Sequence, residues 1–315
     1  MKRTAAVAVL FALLGAVVLG EAVFRLPERW AKGVAIAPGE GLFAVATVNG
    51  VYLFRFEEVV EPGVEDPLAG GLKLDLPGYV HCVDFSPDGR LVAAGGWSMA
   101  RVWDVFRAEE VATIEARGFV YALSFAPQGN LLLGLSGGEV VLYDVGKHEA
   151  VWERKLHGGA VWGVAASPDG KLAASGGAEK GLLFRLADAE VLFEFPGHAW
   201  DVEFTPDGYL LGVGAGKVFG IYDTATGFPY FSAQRHHGCI WGVSFSPDGK
   251  YAATASLDGT VILWDVVEGK DLQVLGEGTE SMEDVDLDGK YLVSCRKDGT
   301  IYIWKRKVLL EGDED

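Results

Sequence analysis

The chain has 315 residues, half of them hydrophobic, with 43 Gly and 12 Pro; it is too apolar for a disordered protein and too long for a small stapled module. Its 27 Lys and Arg stand against 44 Asp and Glu, a formal net charge of -17, and a field of that sign argues against nucleic acid as a partner. Cys82, Cys239 and Cys295 form no C-x-x-C pair and no zinc spacing. They read as buried thiols, with a Cys239 to Cys295 bridge as the alternative in an exported protein.

The first residues differ from the rest. Lys2 and Arg3 precede an uncharged run from Thr4 to Gly20, rich in Ala, Val and Leu and ended by Glu21. As a helix the run spans roughly 25 Å, short of a ~30 Å hydrocarbon core yet longer than the usual core of a secretion signal. Residues 1–21 are therefore expected to form one hydrophobic helix, either a membrane anchor or a signal peptide. In either case Lys2 and Arg3 stay inside, and the rest is membrane-anchored outside the cytoplasm, or secreted if the segment is cleaved.

From residue 31 onward the chain repeats itself. The most regular copy runs from Cys239 to Val266: an apolar strand, the turn Ser246-Pro247-Asp248-Gly249, a second strand, the turn Leu257-Asp258-Gly259, and a third strand ending at Trp264. The first turn recurs at Gly41, Gly89, Gly129, Gly170, Gly208, Gly249 and Gly289, and from Gly89 the glycines step by 40, 41, 38, 41 and 40. Pro presets the first central φ, Asp bonds its own backbone and Gly accepts a positive φ, so each copy is a tight turn between strands. A period near 40 suits four short strands and their turns. Between Phe56 and Leu76 the acidic, Pro- and Gly-rich stretch EEVVEPGVEDPLAGGLKLDL breaks the period and reads as a surface loop.

The third strand of each unit ends in an aromatic, as in Trp103-Asp104, Tyr143-Asp144, Tyr222-Asp223 and Trp264-Asp265. With the SPDG and DGT turns at this period, residues 31–304 resemble the WD-repeat β-propeller family, in a bacterial, membrane-targeted form. The resemblance implies an all-β fold, one seven-bladed β-propeller over residues 22–310, behind the N-terminal segment and before the acidic tail 311–315. It also implies a buried polar tetrad of His236, Ser256 or Thr254, Asp258 and Trp264, of which Ser256 is the first choice, and His157 fits the His position two units earlier. These residues hold a blade together and are not a catalytic triad. No turn signal follows Trp304, so Ala22 to Leu26 is expected to supply the outer strand of the last blade and close the ring.

No GxSxG, HExxH or phosphate-binding loop is present, and the six His are scattered. The sequence thus points to no enzyme, no cofactor and no metal. One position stands out, four residues before the apolar residue that ends each first strand: Lys32, His81, Tyr121, Trp162, Trp200, Trp241 and Glu283. Radial symmetry gathers these at one mouth of the central channel, opposite the PDG turns, and Trp97 adds to them. In WD-repeat proteins this face is where partners most often bind. The expected function is a non-catalytic interaction scaffold, a subunit tethered to a membrane-associated assembly, with Trp packing between blades as the plainer role of the ring. The alternative is a propeller enzyme, or a small-molecule or metal sensor, using the channel; it requires inward acids from several blades, whereas the ring offers one, Glu283.

Overall fold

The computed structural model describes residues 22–28, 30–60, 68, 70–276 and 279–306. The expected helix over residues 1–21 lies outside them. The first strand, β1 (Ala22–Arg25), crosses to the far end of the chain, as shown below. The first sheet then holds β2 (Gly33–Ile36), β3 (Leu42–Thr47), β4 (Gly50–Arg55) and β5 (Leu72–Leu74). Between β4 and β5 the period-breaking insertion opens with a five-residue helix, α1 (Phe56–Val60), which buries Phe56 and Val59.

The next sheet contains β6 (Val80–Phe85), β7 (Leu91–Asp104), β8 (Glu109–Ala126), β9 (Asn130–Leu135), β10 (Glu139–Asp144) and β11 (Glu149–Lys155). Four-stranded sheets follow: β12 (Val161–Ala166), β13 (Leu172–Gly177), β14 (Lys180–Arg185) and β15 (Val191–Pro196); β16 (Ala199–Phe204), β17 (Leu210–Ala215), β18 (Val218–Asp223) and β19 (Pro229–Gln234); β20 (Ile240–Phe245), β21 (Tyr251–Ser256), β22 (Val261–Asp265) and β23 (Lys270–Leu275). The last sheet joins β24 (Met282–Leu287), β25 (Tyr291–Arg296) and β26 (Thr300–Lys305) to β1 in the order β1-β26-β25-β24.

Among the described residues the propeller therefore has six sheets, five of four strands and one of six, not seven separate blades. The difference lies in β7 and β8, which run for 14 and 18 residues. β7 pairs with β6 through Val92 to Gly96 and with β8 through Trp97 to Asp104, and β8 continues onto β9 from Val120. Between the repeat units the pairing of Trp97 with Phe119 carries the ladder onward. Gly95-Gly96-Trp97-Ser98 carries no Asp-Gly turn to interrupt it, so two repeat units share one sheet.

β1 pairs antiparallel with β26, Ala22 opposite Ile303 and Arg25 opposite Thr300. Its inward residues explain the attachment: Phe24 is buried, with its ring 5.4 Å from Phe54, and Leu26 donates its N–H to the Gly299 carbonyl at 2.9 Å. The expectation of a propeller held outside the cytoplasm on a hydrophobic helix is corrected. Among the described residues no helix is long and apolar enough to cross a membrane, and α1 has five residues.

The core is a series of inter-sheet layers. Second and third strands are almost wholly buried, as in β3 and β14, while outer strands such as β11 and β15 bury one residue each. Apolar runs in the middle strands and alternation at the rim follow from burial on two faces against one. The PDG turns form as their residues require: in the second unit Ser86 Oγ donates to Asp88 Oδ1 at 2.6 Å and accepts the Leu91 N–H at 2.8 Å, with Gly89 at φ 70°. The three cysteines are free thiols, Cys295 fully buried.

Candidate functional site

The innermost strand of every repeat unit lines one cavity of about 600 Å³ along the propeller axis. Lys32, His81, Tyr121, Trp162, Trp200, Trp241 and Glu283 all lie on its wall, and prolines of the opposite turns, among them Pro87, Pro127 and Pro168, line its other end. The ring positions thus meet on one cavity. Their aromatic members are half-buried and touch in succession: Tyr121 to Trp162 at 4.3 Å, Trp162 to Trp200 at 5.0 Å, and Trp200 to Trp241 at 5.2 Å with rings 11° from parallel. The arc is closed by Lys32, whose ammonium lies 4.7 Å from the centre of the Trp241 ring and pairs with Glu283. Such a cation over an indole face is attracted by the ring quadrupole. His81 donates from Nδ1 to the Tyr121 carbonyl at 2.9 Å; burial, then the Lys32 charge, lowers its pKa to about 4, so its ring is neutral. Trp97 stands apart from this wall, 69% exposed, with its ring edge toward Phe119 at 6.1 Å.

Below the belt lies a set of acids that the reading by repeat position did not find. The expectation of a single acid at the channel is corrected: Asp84, Asp201, Glu203, Asp284 and Asp286 also line it. They occupy the third and fifth positions of the first strands, one residue beyond the ring position and three beyond it. Their roles are regular. A third-position side chain accepts the N–H of the fourth residue of the next unit: Asp201 from Val243 at 2.8 Å, and Asp284 from Val34 at 3.0 Å. A fifth-position side chain accepts the N–H of the sixth residue: Asp84 from Phe125 at 2.8 Å, Asp286 from Ile36 at 2.6 Å, Ser244 from Leu287 at 3.1 Å and Ser124 from Ala166 at 3.4 Å. The inner edge of a first strand has no neighbouring strand to satisfy its N–H groups, and a buried orphan donor is costly, so side chains of the preceding unit take that part. Close approach is needed: a Cβ on Gly242 would lie 2.6 Å from Asp284 Oδ1.

Burial raises these carboxyls. Asp84 and Asp201 are pushed up to about 7, against the pull of the N–H groups they accept. Asp284 rises well above the ordinary range through burial and the nearby Asp201 charge. Glu203 rises likewise, through burial and then Asp201, Asp84, Asp286 and Asp284. The signal was present in HCVDF, WDVEF and EDVDL, where acids interrupt apolar strands. Among the described residues no group of three His, Cys, Asp or Glu could hold a metal ion.

The polar tetrad forms with one change of member. His236 Nε2 lies 2.8 Å from Thr254 Oγ1, to which Trp264 donates from Nε1 at 2.9 Å, and His236 Nδ1 lies 3.1 Å from Asp258 Oδ2. Thr254 replaces the expected Ser256, whose hydroxyl instead accepts the Asp258 N–H at 3.2 Å. The two lie two residues apart on one strand and share a face, and the reach of His236 selects Thr254. Burial tends to raise Asp258, but hydrogen bonds from Thr260 and the His237 N–H, with the adjacent His236, hold it at about 2. His157 bonds Ser175 Oγ at 2.8 Å in the same manner.

Comparison with known proteins agrees with this geometry. The WD domain, G-beta repeat family matches residues 71–104, 149–182, 229–265 and 272–305. The chain is 26% identical over 152 residues to the periodic tryptophan protein 2 homolog of Dictyostelium discoideum, covering 45% of this chain and 16% of that protein. It is 37% identical over 65 residues to the intraflagellar transport protein 122 homolog of Danio rerio, covering 21% and 6%. The matches thus span less than a fifth of either relative's length. A chain of a solved structure titled Crystal Structure of Mitotic Checkpoint Complex superposes with a TM-score of 0.81 over 95% of this chain and 98% of its own, at 19% identity, a likeness of fold alone. The chain accordingly carries WD40 repeats and has WD-repeat relatives.

Proposed function

We propose that this chain is a WD-repeat propeller that acts without catalysis, as a rigid scaffold for protein partners in a larger assembly. Residues 22–310 would form the propeller and 311–315 an acidic tail. The observation that carries the reading is the arc of half-buried aromatics, Tyr121, Trp162, Trp200 and Trp241 with His81, around one mouth of an open cavity, with the exposed Trp97 outside its wall. Large aromatics in such a place make anchors for a partner. The ring is pre-formed, so docking carries little ordering cost. The solved chain that shares the fold comes from a structure titled as a complex, which agrees with a role in assemblies.

The test is affinity capture from the native cell by the full chain, followed by mass spectrometry. It is repeated with Trp97→Ala and with Trp162, Trp200 and Trp241 changed to Ala one at a time. The scaffold reading expects the captured set to shrink for ring variants that still fold. Unchanged capture, together with a stability loss of about 3 kcal/mol or more per site, would instead make the ring a packing device.

A further inference from the structure

Every polar residue at the fifth position of a first strand serves the next unit, except one. Asp84, Ser124, Ser244 and Asp286 each accept a backbone N–H there. Glu203 on β16, one methylene longer, does not bond Phe245; among the described residues no hydrogen bond engages its half-buried carboxyl, and the charged groups around it are other acids. It lies on the cavity wall three residues along β16 from Trp200, about 10 Å deeper at roughly 3.3 Å per residue. Above it the belt already holds one cation, the Lys32 ammonium over Trp241.

We infer that the channel between Trp200 and Glu203 is a site for an organic cation, an ammonium or guanidinium group on an extended chain that passes the aromatic belt and ends at the Glu203 carboxylate. The inference rests on the ring being a binding surface and adds the chemistry it selects. Aromatic faces attract cations most strongly where water is scarce, and a carboxylate lacking hydrogen bonds gains most from a charged donor. The titratable groups facing Glu203 are Asp201 on its own strand, Asp84 on β6, and Asp284 and Asp286 on β24; β12 and β20 on either side bring none. Those acids favour the protonated carboxyl, so a cation that ionises Glu203 displaces a proton, and binding tightens as pH rises.

Two sources share this chemistry, a free polyamine and the Lys or Arg side chain of a protein partner. The full chain is titrated calorimetrically at pH 8 with spermidine and, separately, with an acetylated and amidated Gly-Arg-Gly peptide. At least one is expected to bind with a sub-millimolar Kd, weakened at least about tenfold by Glu203→Gln. That variant keeps side-chain volume and removes a half-buried acid that faces other acids, so its Tm is expected to hold or rise. Binding of the peptide alone assigns the site to a partner's side chain, and binding of spermidine alone to a free amine. Heats of dilution only for both probes, or an affinity unchanged in Glu203→Gln, overturn the inference. If the ring variants lose captured proteins while neither cation binds, the scaffold reading stands and this inference falls.

Discussion

Asp284 accepts the Val34 N–H at 3.0 Å, joining residues 250 positions apart at the seam where the last repeat unit meets the first. The same carboxylate accepts the Val285 N–H at 2.8 Å, so it is held on both sides. Asp284→Ala is expected to lower unfolding free energy by about 1–3 kcal/mol, since the Val34 donor is left without a partner. Asp284→Asn, which keeps an acceptor oxygen, should recover most of the loss. Urea unfolding of the three proteins checks this, and equal losses in both variants would remove the clasp as its cause.

The tetrad prediction separates two neighbours. Thr254→Val leaves His236 Nε2 and Trp264 Nε1 without their common partner and should reduce stability by about 2–4 kcal/mol. Ser256→Ala loses one bond from the Asp258 N–H and should matter by less than about 1 kcal/mol. Thermal melts that ranked the two variants in the opposite order would contradict the placement.

How much of this was legible beforehand depends on how far each contact reaches. PDG turns are local, and their chemistry is complete within five residues. The ring of Trp162, Trp200 and Trp241 follows from period alone. The clasps do not, because Asp201 is explained only by Val243, in the next unit, and Asp84 only by Phe125. Likewise Thr254 and Ser256 share one strand face, and only the reach of His236 distinguishes them. The joining of two units into one sheet depends on Trp97 facing Phe119, a pairing that neither residue announces.

The channel acids make stability depend on pH with a definite sign. Asp201 has a folded pKa near 7 against about 4 unfolded. The folded state therefore binds the proton more tightly, and this contribution is full below about pH 4 and lost as pH rises to 7. His157, lowered to about 4 by burial and then the Lys180 charge, acts oppositely, contributing above pH 6.5 and losing its effect as pH falls toward 4. Asp201→Asn should thus stabilise the protein more at pH 8 than at pH 5, by on the order of 1–2 kcal/mol after allowance for channel water. Chemical denaturation at the two pH values measures the difference, and an equal effect at both would refute it.

The pair of Lys32 and Glu283 is buried on both sides, and Ser281 Oγ also donates to Glu283. Lys32→Met alone should lower stability by about 3–5 kcal/mol by leaving the acid uncompensated, whereas Lys32→Met with Glu283→Gln should return to within about 1 kcal/mol of the parent. A double-mutant cycle by urea unfolding decides it; additive losses would show that the two charges do not compensate each other.

Removal of residues 1–26 takes away β1 and exposes β26 along Thr300 to Ile303. The truncated chain should lose at least about 3 kcal/mol, from the burial of Phe24 and Leu26 alone, and should self-associate through the open edge. Light scattering on a sizing column reads the second effect. A monodisperse truncation of unchanged Tm would disprove the role of β1.

The long strands β7 and β8 tie the second and third repeat units into one hydrogen-bonded body, and this sets the grain at which the ring can come apart. Elsewhere a unit can open as a single hairpin pair, breaking only its clasps and its apolar layers. Here the Trp97–Phe119 pair joins the ladders of both units, so the amide protons of residues 91–104 and 109–126 are expected to exchange with solvent as one cooperative block. The same continuity makes this pair the least divisible step in any duplication or loss of repeats, because a cut between them leaves two raw sheet edges in place of a loop.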